Sequence, residues 1–292
     1  MNGKNSQYVF CVKCKGTLTL DVFHETNEII EGFFLCKNCH LKFPIISKIP
    51  ILVENLSGFL ANRSSLGGLL LELSLTKVMK DFIKNTMSKI KKSENDFFPT
   101  EKRWTDIYLL NKKSSFYKNI KSHILKISSK NFVLEYGSSI GTISNTLGLK
   151  HTHVFGIDTS FSALLEAKKK SPKNCEYFLA DILQNPLGKK KFDLIVALNI
   201  FELVEPSLLL KNISKQITNG ILFLSDPYDY DRGKNSVKNP LNENQVREIL
   251  RQNKFQINKT TEKPSKVNWN LKINDRTQLN YKVDIILARK ST

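Results

Sequence analysis

The chain has 292 residues, 40% of them hydrophobic and 25% charged, which excludes fibrous and wholly disordered classes and leaves room for about two domains. Its longest apolar stretch, Leu69–Leu75, is broken by Glu72 and Ser74 and falls far short of the ~20 residues of a membrane span, so no membrane partner is expected. The formal charge of +18 points to a polyanion less strongly than its size implies, because only seven of the 45 basic residues are arginine, whose planar fork suits phosphates and bases.

Residues Met1–Phe10 lack the charged start and apolar middle of a secretory signal. Five cysteines, four of them in two CxxC pairs, then predict a reducing, cytoplasmic setting. Residues 1–55 read as a few short strands: Tyr8–Cys11, Thr17–Val22, Gly32–Leu35 and the Phe43–Val53 stretch punctuated by Pro44 and Pro50. So thin a core needs a staple. Cys11-Val-Lys-Cys14 and Cys36-Lys-Asn-Cys39 can supply one, each presenting two thiolates from a tight turn and together closing a tetrahedral zinc site. Four protein ligands leave no open position, which makes the zinc structural; a redox dithiol is the competing reading. The segment Phe43-Pro-Ile-Ile-Ser-Lys-Ile-Pro-Ile-Leu-Val53 resembles the end of the zinc-ribbon domain that activates several RNA and protein methyltransferases.

From Leu66 to Lys92, and again from Trp104 to Ile127, apolar residues recur at helical spacing, so residues 56–130 are expected to form a helical linker or cap. A polar loop, Ser93–Thr100, separates the two runs. Lys77–Lys130 holds 14 basic and 5 acidic residues, half of the chain's charge excess.

From Asn131 onward, strand-length apolar runs alternate with helical stretches. Phe132–Tyr136, Val154–Ile157, Glu176–Leu179, Phe192–Leu198 and Ile221–Ser225 are followed by a helix, Glu243–Arg251, and two more candidates, Phe255–Thr261 and Tyr281–Ala288. That rhythm predicts an α/β domain over 131–292: a seven-stranded, mostly parallel, doubly wound Rossmann-like sheet. Its first strand runs into Glu135-Tyr-Gly137-Ser-Ser139-Ile-Gly141, where glycines let the backbone approach a ligand and the next helix N-terminus directs N–H groups toward it. A dinucleotide fingerprint would read GxGxxG, whereas Gly137 and Gly141 are four apart.

This arrangement resembles the first motif of class I S-adenosylmethionine-dependent methyltransferases, an acidic residue followed by GxGxG, with Ser139 in place of the middle glycine. The resemblance extends in order. Asp158 ends the second strand where the family places a ribose-binding carboxylate, Asp181 follows the third where an acid sits beside the adenine amino group, and Asn199 ends the fourth. It implies that Glu135, Gly137, Ser139, Gly141, Asp158, Asp181 and Asn199 bind S-adenosylmethionine. Ser225-Asp-Pro-Tyr-Asp-Tyr-Asp231 closes the fifth strand and resembles a Pro-Tyr-Asp-aromatic loop of the mercaptohistidine-forming methyltransferases. Asp226, Tyr228 and Asp229 are expected on the substrate rim there, able to hold or deprotonate an amine or imidazole, with Tyr228 and Asp229 the catalytic candidates; a plain Asx turn is the alternative. The expected reaction is methyl transfer to a nucleophilic N, O or S atom. A small-molecule acceptor is expected first. RNA stands second, because a similar ribbon is fused to a ribosomal-RNA guanine methyltransferase and because of the basic helices. A catalytically inactive scaffold is third. The sequence carries no signal for an oligomeric state.

Overall fold

The computed structural model describes residues 1–90, 95–231 and 237–291. A 3-10 turn over Gly3–Tyr8 leads to an antiparallel meander of β1 (Leu18–Glu25), β2 (Ile29–Cys36), β3 (Lys42–Ile46) and β4 (Ile49–Leu52). Between β3 and β4, Ser47 and Lys48 adopt φ of 51° and 70°, the left-handed pair that a type I′ hairpin turn requires. The strand expected at Tyr8–Cys11 is reduced to one bridge, Phe10 to Thr17. The backbone turns back at once there, Lys15 N donating to the Cys11 carbonyl (2.9 Å).

Five helices follow: α1 (Leu56–Ala61), α2 (Ser64–Leu73), α3 (Lys77–Ser88), α4 (Phe98–Asn111) and α5 (Ser115–Ile124). The periodic run from Leu66 is divided at Ser74–Thr76, because the buried Glu31 carboxylate accepts from Leu75 N and Thr76 N (2.6 and 2.9 Å) and Thr76 caps α3. The end of that run and the start of the expected loop, residues 91–94, lie outside the described residues. Helix α4 begins inside the loop's sequence range, with Pro99 in its first turn, where a missing N–H is tolerated.

The remainder alternates as β5 (Phe132–Tyr136), α6 (Ser144–Gly148), β6 (His153–Asp158), α7 (Phe161–Lys169), β7 (Cys175–Ala180), β8 (Leu194–Leu198), α8 (Pro206–Gln216), β9 (Gly220–Asp226), α9 (Glu243–Gln252), β10 (Phe255–Ile257), β11 (Val267–Lys272) and β12 (Gln278–Lys290). All seven expected strands are present in a mixed, mostly parallel α/β sheet, and β11 is an eighth. Its sequence, Val-Asn-Trp-Asn-Leu-Lys, alternates apolar and polar with period two, which is the signal that could have found it. Strand β10 is shorter than expected because the chain coils into a 3-10 turn over Lys259–Thr261.

Packing divides the chain into two compact units that interleave in sequence. The first, Met1–Asp106 with Ser139–Gly141 and Ile157–Gly188, carries the meander, and β4 adds to β7 in parallel, Ile51 opposite Leu179 and Leu52 opposite Ala180. The second, Ile107–Ser138 with Thr142–Gly156 and Lys189–Thr292, carries β5, β8 and β9 in parallel. There β12 runs antiparallel to β9 from Asp284 to Lys290, while its first half pairs with β11. Val133, Leu134, Leu194–Val196 and Leu222–Leu224 are all buried, the near-continuous apolar pattern of parallel strands covered on both faces.

Candidate functional site

In the first unit the sulfur atoms of Cys11, Cys14, Cys36 and Cys39 all lie within 4.8 Å of one another, with Cys11–Cys39 at 3.5 Å and Cys14–Cys36 at 3.4 Å. Tetrahedral zinc–thiolate bonds of ~2.3 Å put sulfurs ~3.8 Å apart, so the donor set fits zinc. Both turns are built alike. Lys15 N donates to the Cys11 carbonyl and His40 N to the Cys36 carbonyl, and Lys15 and His40 take φ of 60° and 59°. His40 therefore serves the knuckle through its backbone. Burial raises the Cys36 thiol, but the backbone N–H groups of Cys39 and Asn38 outweigh it and bring the value down to about 7.

The first knuckle touches the segment that follows β7. Phe10 N donates to the Pro186 carbonyl (2.9 Å), and Lys15 Nζ donates to the Gln184 carbonyl and to that of Val12 (2.8 Å). Gly188, at φ 57°, packs so tightly on the Phe10 ring that an added Cβ would stand 2.5 Å from it. Asp181 opens this segment, exposed, its carboxylate capping Leu183 N at 2.8 Å.

Also in the first unit, Ser139 N donates to Asp158 Oδ2 and Ser160 N to Asp158 Oδ1, both at 2.8 Å. Burial raises the Asp158 carboxyl against the pull of the N–H groups of Ser160, Ser139 and Thr159. Ser139 is at φ 47°, so the residue standing where the motif has glycine adopts a glycine conformation. Gly141 is at φ 71°, and a Cβ there would meet the Tyr177 hydroxyl at 2.6 Å and Ala167 Cβ at 2.8 Å. Ser139→Gly should remove the left-handed strain and raise stability by about 1 kcal/mol, read by thermal unfolding; an unchanged or lowered midpoint would count against that strain.

In the second unit, Glu135 is 3% exposed and accepts from Ser144 Oγ. Gly137 is at φ 66°, and a Cβ there would come within 2.6 Å of Ile200. Next to it the buried Ser138 hydroxyl has no hydrogen-bond partner among the described residues. Asn199, at φ 54°, donates its N–H to the Ser225 carbonyl (2.6 Å) and accepts from Ser225 Oγ (3.0 Å). Asp226, expected on the same rim as Tyr228 and Asp229, is 3% exposed and accepts from Phe201 N (3.0 Å) and Tyr228 N (2.8 Å), stitching together the loops after β8 and β9. Tyr228, at φ 55°, donates its hydroxyl to Asp284 Oδ2 (3.3 Å). Burial, then the charges of Asp284 and Asp226, push the phenol far up, so it stays protonated and acts by donating. Asp229 is half-buried and helps to raise Asp226.

Burial raises the Asp226 carboxyl to about 7 from 3.8, in spite of N–H donation by Phe201, Tyr228 and Ile200. A raised folded value means that ionisation destabilises the native state: this contribution is fully present below the unfolded pKa and is lost as pH rises through about 7. Carbon-13 titration of the Asp226 carboxyl should show a midpoint near 7. Asp226→Asn should flatten the stability profile between those limits, and a midpoint near 4 would refute the burial argument.

The model of a methyltransferase domain family matches residues 127–284, more than half of the chain. A search of curated proteins finds no match. Among solved structures, the complex between the Haloferax volcanii Trm112 methyltransferase activator and a methyltransferase is 11% identical, with a TM-score of 0.51, covering 68% of this chain and 98% of that one. The N-methyltransferase NodS from Bradyrhizobium japonicum WM9, in complex with S-adenosyl-L-homocysteine, is 18% identical, with a TM-score of 0.50, covering 66% and 97%. Magnesium protoporphyrin IX methyltransferase from Synechocystis PCC 6803 is 17% identical, with a TM-score of 0.49, covering 67% and 96%. With a family model that runs from before β5 into β12, over more than half of its length, the chain belongs to the methyltransferase domain family.

Proposed function

We propose that this methyltransferase carries the methyl group of S-adenosylmethionine to a nucleophilic N, O or S atom of a small molecule. The observation that carries the reading is the left-handed turn at Ser139, whose N–H aims at the Asp158 carboxylate between the two cramped glycines. The Asp158 carboxylate has about four lone-pair sites, and the N–H groups of Ser139, Ser160 and Thr159 leave one for a ribose hydroxyl. The Ser138 hydroxyl, without a hydrogen-bond partner among the described residues, fits a ligand drawn close to the backbone.

S-adenosylmethionine, when bound, supplies an electrophilic methyl on a good leaving group. The protein's task is then to position the acceptor and exclude water. Glu135, Gly137, Ser139 and Gly141 shape the turn after β5. Asp158 takes the ribose, Asp181 the adenine amino group, and the Asn199 loop lines the cofactor. Tyr228 and Asp229 hold the acceptor, the phenol oxygen, whose proton goes to Asp284, and the carboxylate both accepting, while Asp226 keeps their loop in place. The four-cysteine ribbon is structural and holds zinc.

An RNA acceptor is the second reading, favoured by the basic excess over Lys77–Lys130, of which Lys91 and Lys92 lie outside the described residues. Incubation with labelled methyl donor and size-fractionated cell extract separates the readings. Label in the metabolite fraction is expected; label in RNA would establish the alternative, and no donor binding at all would leave a scaffold. Asp158→Ala is expected to weaken cofactor binding by about 1.5–3 kcal/mol per lost charge-assisted hydrogen bond, roughly tenfold or more by calorimetry. Unchanged affinity would remove Asp158 from the site.

A further inference from the structure

The second unit contains a recess of about 530 Å³ that no step of methyl transfer uses. Four chain segments meet there. Lys191 lies just before β8, Lys215 in the last turn of α8, Lys254 just after α9, and Lys290 at the end of β12, with Ser214 and Thr218 beside them. Among the described residues, the lining includes no carboxylate. Strands β8 and β9 run from this end toward Asn199 and Asp226, so the recess lies at the opposite ends of those strands from the acceptor-side loops.

Part of this charge has a local explanation. Lysines near a helix C-terminus complement its partial negative charge. Lys290 Nζ donates to the Ser214 carbonyl (2.6 Å) and Oγ (2.8 Å), and Lys191 Nζ donates to the Lys215 carbonyl, so two ammonium groups serve the end of α8. That leaves Lys215 and Lys254, both exposed, whose charges the helix end does not require. Burial, followed by Lys191 and Lys254, lowers the Lys290 ammonium. Burial is the larger cause, and the two lysine charges add to it. The Lys254 backbone turns there at φ 65°, its N–H donating to the Arg251 carbonyl. Several cations in a concave site with hydroxyl donors and no acid form a receptor for a multiply charged oxyanion, which lysine binds as a point charge.

We propose that this recess binds a phosphate-class group, a phosphate or diphosphate ester, held by Lys191, Lys215, Lys254 and Lys290. The group can belong to a free nucleotide or to a nucleic-acid backbone. The proposal is independent of the methyl acceptor.

The test uses the full chain, sodium pyrophosphate and inorganic phosphate as probes at matched ionic strength, and a single-stranded RNA oligonucleotide in a parallel arm. The comparison is with the Lys215→Gln/Lys254→Gln double variant, which alters two exposed side chains that the end of α8 does not require. Saturable pyrophosphate binding that weakens about tenfold in the variant, with S-adenosylhomocysteine affinity unchanged, is the expected result. If the source is a nucleic-acid backbone, pyrophosphate should compete with the oligonucleotide, and the variant should lose about 0.7 of log–log salt slope per phosphate contact. Pyrophosphate binding without such competition would assign a free nucleotide and support the proposal equally. Absence of saturable binding by either phosphate probe, or equal binding by the variant, overturns it.

Discussion

Cys36→Ser, or extraction of zinc by a chelator, is expected to melt the β1–β4 meander and to weaken S-adenosylhomocysteine binding, although no cysteine belongs to the cofactor site. The first effect follows from the metal. In such sites metal binding is folding free energy, about 10–16 kcal/mol in zinc-finger peptides. The second follows from what the ribbon touches. The knuckle's Phe10 and Lys15 hold the Gln184 and Pro186 carbonyls, Gly188 seats on the Phe10 ring, and β4 pairs with the last two residues of β7 just before Asp181. Without the knuckle, the 181–188 segment loses its anchors. Hydrogen exchange should therefore accelerate at amides 182–188 together with those of β1–β4, while β8 and β9 in the second unit keep their protection. Calorimetry on the stripped chain should show reduced cofactor affinity. Unchanged protection at 182–188 would mean that the contacts with Phe10 and Lys15 do not hold the segment.

Asp284→Ala should lower stability by about 3–5 kcal/mol, because it leaves a buried guanidinium without its charge partner. Arg247 and Asp284 are each 2% exposed and pair in a two-point geometry, Nη1–Oδ2 at 2.6 Å and Nη2–Oδ1 at 3.0 Å. The same carboxylate accepts from Ser265 N and Oγ and from the Tyr228 hydroxyl, so the substitution also frees the loop after β9. At roughly 2–4 °C per kcal/mol for a chain of this size, the thermal midpoint should fall by about 10 °C. Replacing both partners by apolar residues of similar volume, Arg247→Met with Asp284→Leu, should recover most of that loss, since the burial penalty disappears with the charges. Acceptor methylation should stay impaired in the recovered double variant, because Tyr228 would still lack its anchor. A single variant as stable as the parent would show that the pair contributes nothing net.

The parts of this protein that were legible in its sequence are local. Two CxxC spacings define a four-thiolate site because each pair needs only its own tight turn to aim both sulfurs, and all four sulfurs do converge. The alternation of strand-length and helix-length runs marked every strand expected from β5 onward, because burial on two faces leaves an apolar run that needs no knowledge of the neighbour. Gly137 and Gly141 were readable for the same reason, left-handed turns being written in residue type; Ser139 shows that the conformation persists where the residue type departs.

What only the tertiary structure decided involves partners far apart in the chain. Strand β4 reads like any short apolar strand, and its parallel pairing with β7 follows from which edge is free, a property of the assembled sheet rather than of Ile49–Leu52. Tyr228 read as an exposed rim phenol, whereas Asp284, Arg247 and Ser265 arrive from three later segments to make it part of a buried network. Asp226 read as a rim carboxylate or a turn residue, and only its burial in the fold raises its carboxyl to about 7. The lysine recess draws on four separate segments, each unremarkable alone. Spacing and residue type thus determine conformations set within a turn or a strand, while charge pairing, desolvation and edge pairing depend on contacts between segments scores of residues apart, which no local pattern records.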